Sequence, residues 1–406
     1  MDGPSRRILV FTPVFPKLNK GAAEQDQLYG ALTLQQMGHT VRMAAFLPTH
    51  QSPDDARAYA TDIGLDVTPL PYPVVRLSLP SIANRIASVA CHIALLDGAA
   101  YQHYHPTIRT FAAEQIESFQ PDVVWLDNDF LWPLALLARQ RGIPVIFRSQ
   151  NFEPDHMIDE SGATLFNYLR YLGKYVGELT ALQLGTVLVA ITPVEQAKYR
   201  RLAPRAKIEL LPLRGLPRHL RSLRRVSSRQ PLNVFYWGST YNVSHNRAAL
   251  NFVVRQIAPK LRIAAPHAFC LHVFGGKAPP DLRQDAAADL IFHGFVPDLE
   301  NALDNMDIAL VPSLYGCGMQ QKVFEPLCRG FPTVTSRRAL AGYPFEIGRD
   351  VLLARSADDF VACLLELRDA QGRTELAANA SRRAADLFSN EQLVKAHDKI
   401  LRRALE

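Results

Sequence analysis

The residues best suited to chemistry lie in a turn that follows an apolar run late in the chain. The run Ile308–Val311 predicts a β-strand, and it leads into a turn that contains Gly316 and Gly318. We expect a helix to begin near Met319 and to end at Gly330, because glycine followed closely by proline is a frequent helix stop. The two glycines let backbone amides approach an anion, and the helix start behind them adds partial positive charge. The pattern therefore predicts a binding site for phosphate groups.

Two charged side chains lie on this predicted helix. Lys322 and Glu325 are three positions apart, so they project from the same face. A lysine beside the first helical turn supplies a cation for a diphosphate, and a carboxylate one turn further on can accept two hydrogen bonds from a ribose diol. The same spacing also fits an ordinary surface ion pair. These two residues alone leave both interpretations open.

Apolar runs and helical patterns alternate along the chain, which is typical of parallel sheets covered by helices. In the first half the patterns predict strands at 8–14, 41–46, 67–74, 123–126, 145–147 and 187–191, and helices at 22–37, 82–96 and 107–119. The alternation restarts with strands at 233–237, 269–274, 290–292, 308–311 and 333–335, and a helix at 247–261. We therefore expect an α/β protein with two Rossmann-like, doubly wound domains and a ligand cleft at the carboxyl ends of their strands.

The domain boundary is predicted where this alternation stops. Residues 213–230 contain no strand-like run, and they include Arg214, Arg218, Arg221, Arg224, Arg225 and Arg229. We expect an N-terminal domain over 1–212, a basic linker over 213–230 and a C-terminal domain over 231–389. The helical pattern at 390–406 is expected to pack back on the N-terminal domain.

Composition excludes several classes of protein. The 406 residues are 48% hydrophobic and 21% charged, as in an ordinary folded protein of two domains. Charged or polar residues interrupt every long apolar stretch, so no run reaches the ~18 apolar residues of a membrane-spanning helix. The five cysteines form no Cys-x-x-Cys pair, which argues against a disulfide framework or a structural zinc site. We expect a cytoplasmic protein.

These patterns, in this order, resemble the retaining glycosyltransferases of family 4, which have the GT-B fold. The glycine turn and the Lys-x-x-Glu helix at 316–325 are similar to the donor-binding motif of that family. Gly238-Ser239 with Asn246 resembles a second family motif, and residues 293–296 (HGFV) resemble the turn that borders the base. Residues 148–153 (RSQNFE) are similar to a motif of the family's first domain. The resemblance spans nearly the whole chain.

The resemblance implies a GT-B fold, in which two Rossmann-like domains face each other across a cleft. It also implies a retaining, metal-independent transfer from a nucleotide-diphosphate sugar to a hydroxyl acceptor. The acceptor would be a glycan, a lipid-linked saccharide or a small molecule, in cell-envelope or exopolysaccharide synthesis. The nucleotide-diphosphate sugar is a co-substrate, and no other cofactor and no metal is expected.

The resemblance also assigns roles to residues. Lys322 would bind the diphosphate and Glu325 the ribose. The other donor-side positions are Gly21, Gly238, Ser239, Asn246, Gly294, Phe295, Val296, Gly316, Cys317, Gly318, Met319, Gln320 and Gln321. The acceptor-side candidates are Lys20, Asp127, Asn151 and Glu153.

The sequence also departs from the family pattern. Many members carry a carboxylate eight positions before the second one, and Cys317 stands there in this chain. That carboxylate usually accepts a hydrogen bond from a sugar hydroxyl. We therefore expect backbone groups of residues 317–320, with the Gln320 or Gln321 amide, to hold the sugar. Gln150 likewise replaces the family histidine of the first domain.

Other signals leave alternatives open. The triplet Asp127-Asn128-Asp129 could hold a divalent metal, serve the acceptor or be a solvated loop. The basic linker could contact an anionic membrane or simply be solvated, and the apolar stripe of residues 82–96 could dock on lipid or pack in the core. Aromatic interleaving and nucleic-acid motifs are absent, so no nucleic acid is expected. An epimerase of nucleotide sugars on the same fold, or a non-catalytic binding protein, remains an alternative function.

Overall fold

A computed structural model describes residues 4–17, 21–48, 51–72, 79–221, 226–285 and 287–406 of the chain. The chain divides into two compact units. Unit 1 is Met1–Arg214 with Leu393–Glu406, and unit 2 is Gly215–Gln392. Within the described ranges, no helix is long and apolar enough to cross a membrane.

The described part of unit 1 contains a seven-stranded sheet in the order β3-β2-β1-β4-β5-β6-β7, with every neighbouring pair parallel. Its strands are β1 (Arg7–Thr12), β2 (Thr40–Leu47), β3 (Asp66–Pro71), β4 (Val123–Leu126), β5 (Val145–Arg148), β6 (Val187–Ala190) and β7 (Ile208–Leu210). The strand order reverses at β1 and β4. In a doubly wound sheet, ligands bind outside the carboxyl ends of the strands at such a reversal.

Helices cover both faces of this sheet because alternate strand residues point to opposite sides. Ile8 and Val10 belong to one buried apolar cluster, and Leu9 and Phe11 belong to the other. The helices of this part of the chain are α1 (Ala22–Gln36), α2 (Pro53–Asp62), α3 (Leu79–Cys91), α4 (Gly98–His103), α5 (Pro106–Phe119), α6 (Trp132–Gln140), α7 (Glu153–Ser161), α8 (Leu165–Leu184) and α9 (Pro193–Leu202).

Unit 2 has the same plan on six strands within its described residues, in the order β10-β9-β8-β11-β12-β13. These strands are β8 (Leu232–Thr240), β9 (Phe269–Gly276), β10 (Leu290–Gly294), β11 (Ile308–Val311), β12 (Thr333–Thr335) and β13 (Leu352–Leu353). Its helices are α10 (Ser244–Phe252), α11 (Ala258–Ala264), α12 (Pro280–Gln284), α13 (Leu299–Leu303), α14 (Gln321–Cys328), α15 (Ala357–Glu366) and α16 (Ala370–Phe388). The last helix, α17 (Asn390–Leu405), places Leu393, Ile400 and Leu401 in the core of unit 1.

The α/β class and the parallel sheets expected from the sequence are confirmed, while several element bounds differ. β7 and β13 were not expected, since they are short edge strands and β7 carries Glu209 at its centre. The helix expected at 247–261 is divided into α10 and α11 by a π-helical turn at Val253–Ile257. The strand expected at 67–74 ends at Pro71, and residues 73–74 lie outside the described residues.

The segment 213–230 is not a uniformly solvated linker. Arg214 is fully buried in unit 1, and Leu216–His219 forms a 3-10 turn whose His219 is buried in unit 2. Arg224 and Arg225 lie outside the described residues. One arginine of the segment is therefore buried in the core of unit 1, while Arg221 and Arg229 are exposed.

A buried ion-pair network fixes the reversal point of the unit 1 sheet. Asp26 of α1 accepts hydrogen bonds from Arg148 at the end of β5, with N–O distances of 3.1 and 2.9 Å. The same carboxylate accepts from the Nε and Nη2 atoms of Arg214 at 3.1 and 2.8 Å. Burial opposes the charged form of Asp26, but the two arginines outweigh it and hold the pKa of Asp26 well below its usual range. The helix and two distant segments are thus joined through one carboxylate.

Replacement of this carboxylate should destabilise unit 1 strongly. The Asp26→Asn variant leaves the buried Arg148 guanidinium without its carboxylate partner and leaves Arg214 paired with Asp127 alone. Breaking a buried ion pair typically costs about 3–5 kcal/mol. Asp54→Asn is the matched control, because Asp54 forms an exposed ion pair with Arg57 and should change stability by less than about 1 kcal/mol. Urea unfolding at pH 7 measures both.

The pH dependence of the same comparison follows from the lowered pKa. The ionised Asp26 carboxylate raises the free energy of unfolding at pH values above its unfolded-state pKa of about 4. This contribution is lost as the pH falls below that value. The difference in the free energy of unfolding between wild type and Asp26→Asn should therefore become smaller as the pH is lowered. A difference that grows instead would contradict the assigned role.

Candidate functional site

The turn between β11 and α14 has the backbone that the sequence predicts. Gly316 has a φ of 107° and Gly318 a φ of 73°, a region that favours glycine. A Cβ atom on Gly316 would lie 3.0 Å from Gln320 Nε2. The helix begins at Gln321 rather than near Met319, because Gln320 is still extended, with φ −82° and ψ 108°.

Lys322 on α14 follows β11 and is hydrogen-bonded to residues of β8 and α10, next to the point where the strand order of the unit 2 sheet reverses. Its Nζ donates to Asn246 Oδ1 at 3.0 Å, and Asn246 Nδ2 donates to the carbonyl of Thr240 at 3.0 Å. The indole of Trp237 on β8 donates to the backbone carbonyl of Lys322 at 2.9 Å. Burial lowers the pKa of Lys322 to about 8. The structure therefore brings together Lys322 and Asn246, which the sequence assigned to one site from separate motifs.

Glu325 does not have the free carboxylate that the sequence predicts. Its side chain is only 8% exposed. Oε1 accepts from Arg329 Nε at 3.0 Å and Nη2 at 2.7 Å, and Oε2 accepts from Gln321 Nε2 at 2.9 Å. Glu325 is thus a buried, ion-paired residue, and the Gln321 amide proposed for the sugar is turned towards it.

His219 closes the same cluster from the 3-10 turn at the start of unit 2. Its Nδ1 lies 2.9 Å from Arg329 Nη2 and 3.1 Å from Glu325 Oε1. Burial, with Arg329 close by, lowers the pKa of His219 to about 2, so the contact with Glu325 is not an ion pair. Both atoms accept hydrogen bonds from the same guanidinium group. Sequence reasoning missed His219 and Arg329 because neither belongs to a recognised motif.

A third set of contacts fastens the glycine turn to β12. Ser313 Oγ donates to Gln320 Oε1 at 3.0 Å, so this amide faces the turn itself. Arg338, which follows β12, donates from Nε to the carbonyl of Gly316 at 3.1 Å, and its Nη2 lies 3.8 Å from Cys317 Sγ. Arg338 was not among the expected site residues. The signal was present in the pair Arg337-Arg338, directly after the carboxyl end of a predicted strand.

The turn expected to border a base also lies at the carboxyl edge of the unit 2 sheet. Gly294 has a φ of 71° at a register shift between β9 and β10. A Cβ on Gly276 at the end of β9 would lie 3.9 Å from Phe295 Cβ, and Phe295 is 65% exposed. Gly275 on β9 lies very close to Gly238, near the end of β8. A Cβ on Gly275 would be 2.2 Å from the Gly238 carbonyl oxygen. Ser239 is exposed and Val296 half-buried at this edge.

Asp127, an acceptor-side candidate, follows β4, but its carboxylate is buried and paired within unit 1. It accepts from Arg214 Nη2 at 3.1 Å and from Trp125 Nε1 at 2.9 Å. Gly21 precedes α1 with an extended backbone. A Cβ on Gly21 would be 2.7 Å from Glu24 Oε2. Lys20 lies outside the described residues.

Asn151 and Glu153 follow β5 and border a group of buried acids. Glu153 Oε2 is bound by Lys174 at 3.3 Å, and the Glu153 backbone N–H donates to Glu178 Oε1 at 2.9 Å. The carbonyl of Asn151 accepts from Ser149 Oγ at 2.7 Å. The structure thus places both candidates at the carboxyl edge of the unit 1 sheet, with the Glu153 side chain already ion-paired.

The buried acids themselves surround Tyr199. Its hydroxyl oxygen lies 2.8 Å from Glu178 Oε2 and 3.3 Å from Asp129 Oδ2. Burial raises the pKa of Asp129 to about 6 and that of Glu195 to about 7, and it raises the pKa of Glu178 well above its usual range. Because Asp129 belongs to this group and Asp127 to the arginine network, the two carboxylates of the triplet enter different networks. Among the described residues, no group of His, Cys, Asp and Glu is arranged to hold a metal ion.

Comparison with known families identifies the chain. The family model described as "Glycosyl transferase 4-like domain" matches residues 27–214, and the model described as "Glycosyl transferases group 1" matches residues 232–369. The two matches together cover most of both units. The chain belongs to the group 1 glycosyltransferases. No curated protein matches its sequence.

Solved structures show that this glycosyltransferase has the GT-B fold. HepE of Anabaena, solved with UDP and glucose, is 14% identical with a TM-score of 0.65, and the match covers 98% of this chain and 99% of HepE. Sucrose-phosphate synthase of Thermosynechococcus elongatus is 13% identical with a TM-score of 0.68, over 98% of both chains. The pneumococcal O-GlcNAc transferase GtfA, solved with UDP and GlcNAc, is 10% identical with a TM-score of 0.67, over 99% of both chains. The GT-B fold and the glycosyltransferase family expected from the sequence are confirmed, while retention of configuration stays a prediction.

Proposed function

We propose that this glycosyltransferase moves a sugar from a nucleotide-diphosphate sugar to a hydroxyl acceptor, with retention of configuration and without a metal. The observation that carries the proposal is the position of Lys322. Its ammonium lies at the start of α14, behind the Gly316–Gly318 turn and hydrogen-bonded to Asn246. A cation, a helix N-terminus and a glycine turn together form a site for a diphosphate. The UDP bound in HepE is in accord with such a donor.

In this mechanism the protein supplies no nucleophile. The bond between the sugar C1 and the diphosphate oxygen breaks, and a bond from C1 to the acceptor oxygen forms on the same face. The departing diphosphate oxygen takes the acceptor proton. Lys322 and backbone amides of residues 316–321 stabilise the negative charge that develops on the diphosphate. Preorganised electrostatic stabilisation of this kind is usually the largest catalytic contribution.

The remaining donor contacts follow from the edge of the unit 2 sheet. Glu325 binds the ribose through Oε2, after the Gln321 amide that bonds it here is displaced. Gly294, Phe295 and Val296 border the base, as in the family motif. On unit 1, the acceptor binds near Asn151 and Glu153, whereas Asp127 has a structural role in the arginine network.

Loss of the Lys322 ammonium should reduce turnover far more than stability. Lys322→Ala removes one charged donor to the diphosphate, which we expect to lower turnover about 10²–10³-fold. The bond from Trp237 goes to the backbone of residue 322 and is kept. Lys260→Ala is the control, since Lys260 forms an ion pair with Asp358 on the surface. Free nucleotide is followed by mass spectrometry after incubation with a panel of nucleotide sugars, with and without acceptors.

The same assay separates the alternatives. Release of nucleotide that depends on an acceptor and persists with a chelator supports metal-independent transfer. Loss of activity in the chelator contradicts metal independence, and epimerised donor supports an epimerase. Thermal stabilisation by nucleotide without turnover supports a non-catalytic binding protein. Normal turnover by folded Lys322→Ala would contradict the proposal that Lys322 binds the diphosphate.

Nucleotide affinity should weaken at alkaline pH. The free protein holds Lys322 with a pKa of about 8, and a diphosphate binds its protonated form. The dissociation constant for UDP should be nearly constant below pH 8 and should rise by up to about tenfold per pH unit above it. Lys322→Arg stays protonated and should remove this rise. Calorimetry from pH 6.5 to 9.5 measures both proteins, and an equal rise in the variant would assign the titration to another group.

We also propose that unit 1 makes peripheral contact with a membrane, where a lipid-linked acceptor resides. The first turns of α8 carry large apolar side chains that are exposed to solvent: Leu165, Phe166, Tyr168, Leu169 and Leu172. Leu165 is 81% exposed and Phe166 69% exposed. An apolar stripe of this kind inserts at the boundary between headgroups and acyl chains.

Vesicle binding through this stripe should resist salt. The double variant Phe166→Asp with Leu169→Asp should abolish co-sedimentation, whereas Val194→Asp on α9, also an exposed apolar position, should not. Binding only to anionic vesicles that is lost at high salt would assign the contact to basic residues instead. No co-sedimentation at low salt would end the membrane proposal.

A further inference from the structure

Arg338 places a positive charge beside Gly316 and Cys317, at the start of the glycine turn. Arg338 Nε donates to the carbonyl of Gly316, and its Nη2 lies 3.8 Å from Cys317 Sγ. The guanidinium therefore contacts the first two residues of the Gly-Cys-Gly turn. Arg338 belongs to the 3-10 turn Arg337–Leu340, which follows β12, the neighbour of β11.

The position of Arg338 is fixed by bonds between the two strand ends. Ser336 Oγ donates to the carbonyl of Ser313 at 2.6 Å, and the Ser313 N–H donates to Ser336 Oγ at 3.2 Å. The preceding residue, Thr335, donates from Oγ1 to the carbonyl of Val311 at 2.7 Å. These bonds hold the start of the glycine turn and the start of the arginine turn together. The guanidinium is thus placed by the fold, although Arg338 itself is exposed.

The chemistry at this turn favours an anionic group over a neutral hydroxyl. A carboxylate recognises a hydroxyl well by accepting a hydrogen bond from it. The side chain at position 317 is instead a thiol, which is a weak hydrogen-bond partner. A guanidinium carries only donors, in a planar fork that matches a carboxylate. The partial positive charge at the start of α14 has the same preference.

We propose that the donor sugar carries a carboxylate, as a hexuronic acid does, and that Arg338 binds that carboxylate beside Cys317. This inference rests on the proposed function, because it assumes that the donor diphosphate lies at Lys322 and its sugar at the Gly316–Gly318 turn. Cys317 removes the negative charge that would repel a uronic acid, and Arg338 adds the positive charge that attracts it. The two residues together select the class of donor sugar.

Binding of matched donors tests the inference without knowledge of the acceptor. Calorimetry compares UDP, UDP-glucose and UDP-glucuronate, with GDP, GDP-mannose and GDP-mannuronate as the parallel set. The uronate should bind about tenfold to a hundredfold more tightly than the neutral sugar, which is the typical contribution of a hydrogen bond to a charged group. Arg338→Gln should abolish this preference, measured within the variant as the ratio of the uronate affinity to the neutral-sugar affinity. Arg338→Lys should retain part of the preference.

Two further variants separate a specific role from a structural one. Arg337→Gln changes the adjacent exposed arginine and should leave all affinities as in wild type. Cys317→Glu places a carboxylate beside Arg338, so it should lower the affinity for the uronate relative to that for the neutral sugar of the same nucleotide. It keeps the test available if Arg338→Gln does not fold.

The outcomes distinguish this inference from the proposed function. Equal binding of the uronate and the neutral sugar, with intact nucleotide binding, overturns the inference alone. An equal loss of nucleotide and of both sugars in Arg338→Gln assigns Arg338 to the diphosphate and also overturns it. Absence of binding by every nucleotide overturns the proposed function, and the inference with it.

Discussion

Parallel strand pairing is the constraint on which both units of this glycosyltransferase depend. In a parallel sheet the carboxyl ends of all strands lie at one edge, so residues from distant segments must meet there. In unit 2 this edge brings Asn246, which follows β8, to Lys322, which follows β11, and their side chains form a 3.0 Å hydrogen bond. Reversal of the strand order between β8 and β11 leaves room for a ligand between the two connections.

Unit 1, in the part that the structure describes, contains two groups of buried acidic residues. Asp26 lies between Arg148 and Arg214, and this compensation keeps its carboxylate ionised. Asp129 and Glu178 both contact the Tyr199 hydroxyl, and burial raises their pKa values instead. The pKa values of these buried acids therefore shift in opposite directions, because Asp26 has arginine partners and Asp129 and Glu178 lie beside one another.

Much of the fold could be predicted from the sequence, because apolar runs and helical periodicity report local structure directly. β4, β11 and β12 have the predicted bounds, and the helix after the glycine turn begins only two residues later than expected. β7 and β13 could not be predicted, since edge strands of two or three residues carry almost no periodic signal. The solvated basic linker was also wrong for Arg214, because a run of arginines gives no sign of which one finds a buried carboxylate.

The sequence by itself determined the α/β class, the two Rossmann-like halves and the Gly-x-Gly and Lys-x-x-Glu pattern on which the proposed diphosphate site rests. These features depend on residues close together in the chain. Only the tertiary structure decided that Glu325 pairs with Arg329, that Asp127 is buried against Arg214 and that Arg338 contacts Gly316 and Cys317. The last two are contacts between segments far apart in sequence, and even the i,i+4 pair of Glu325 and Arg329 depends on burial beside His219. Periodicity gives the face on which a side chain lies, but the packing of neighbouring strands and helices gives its partner.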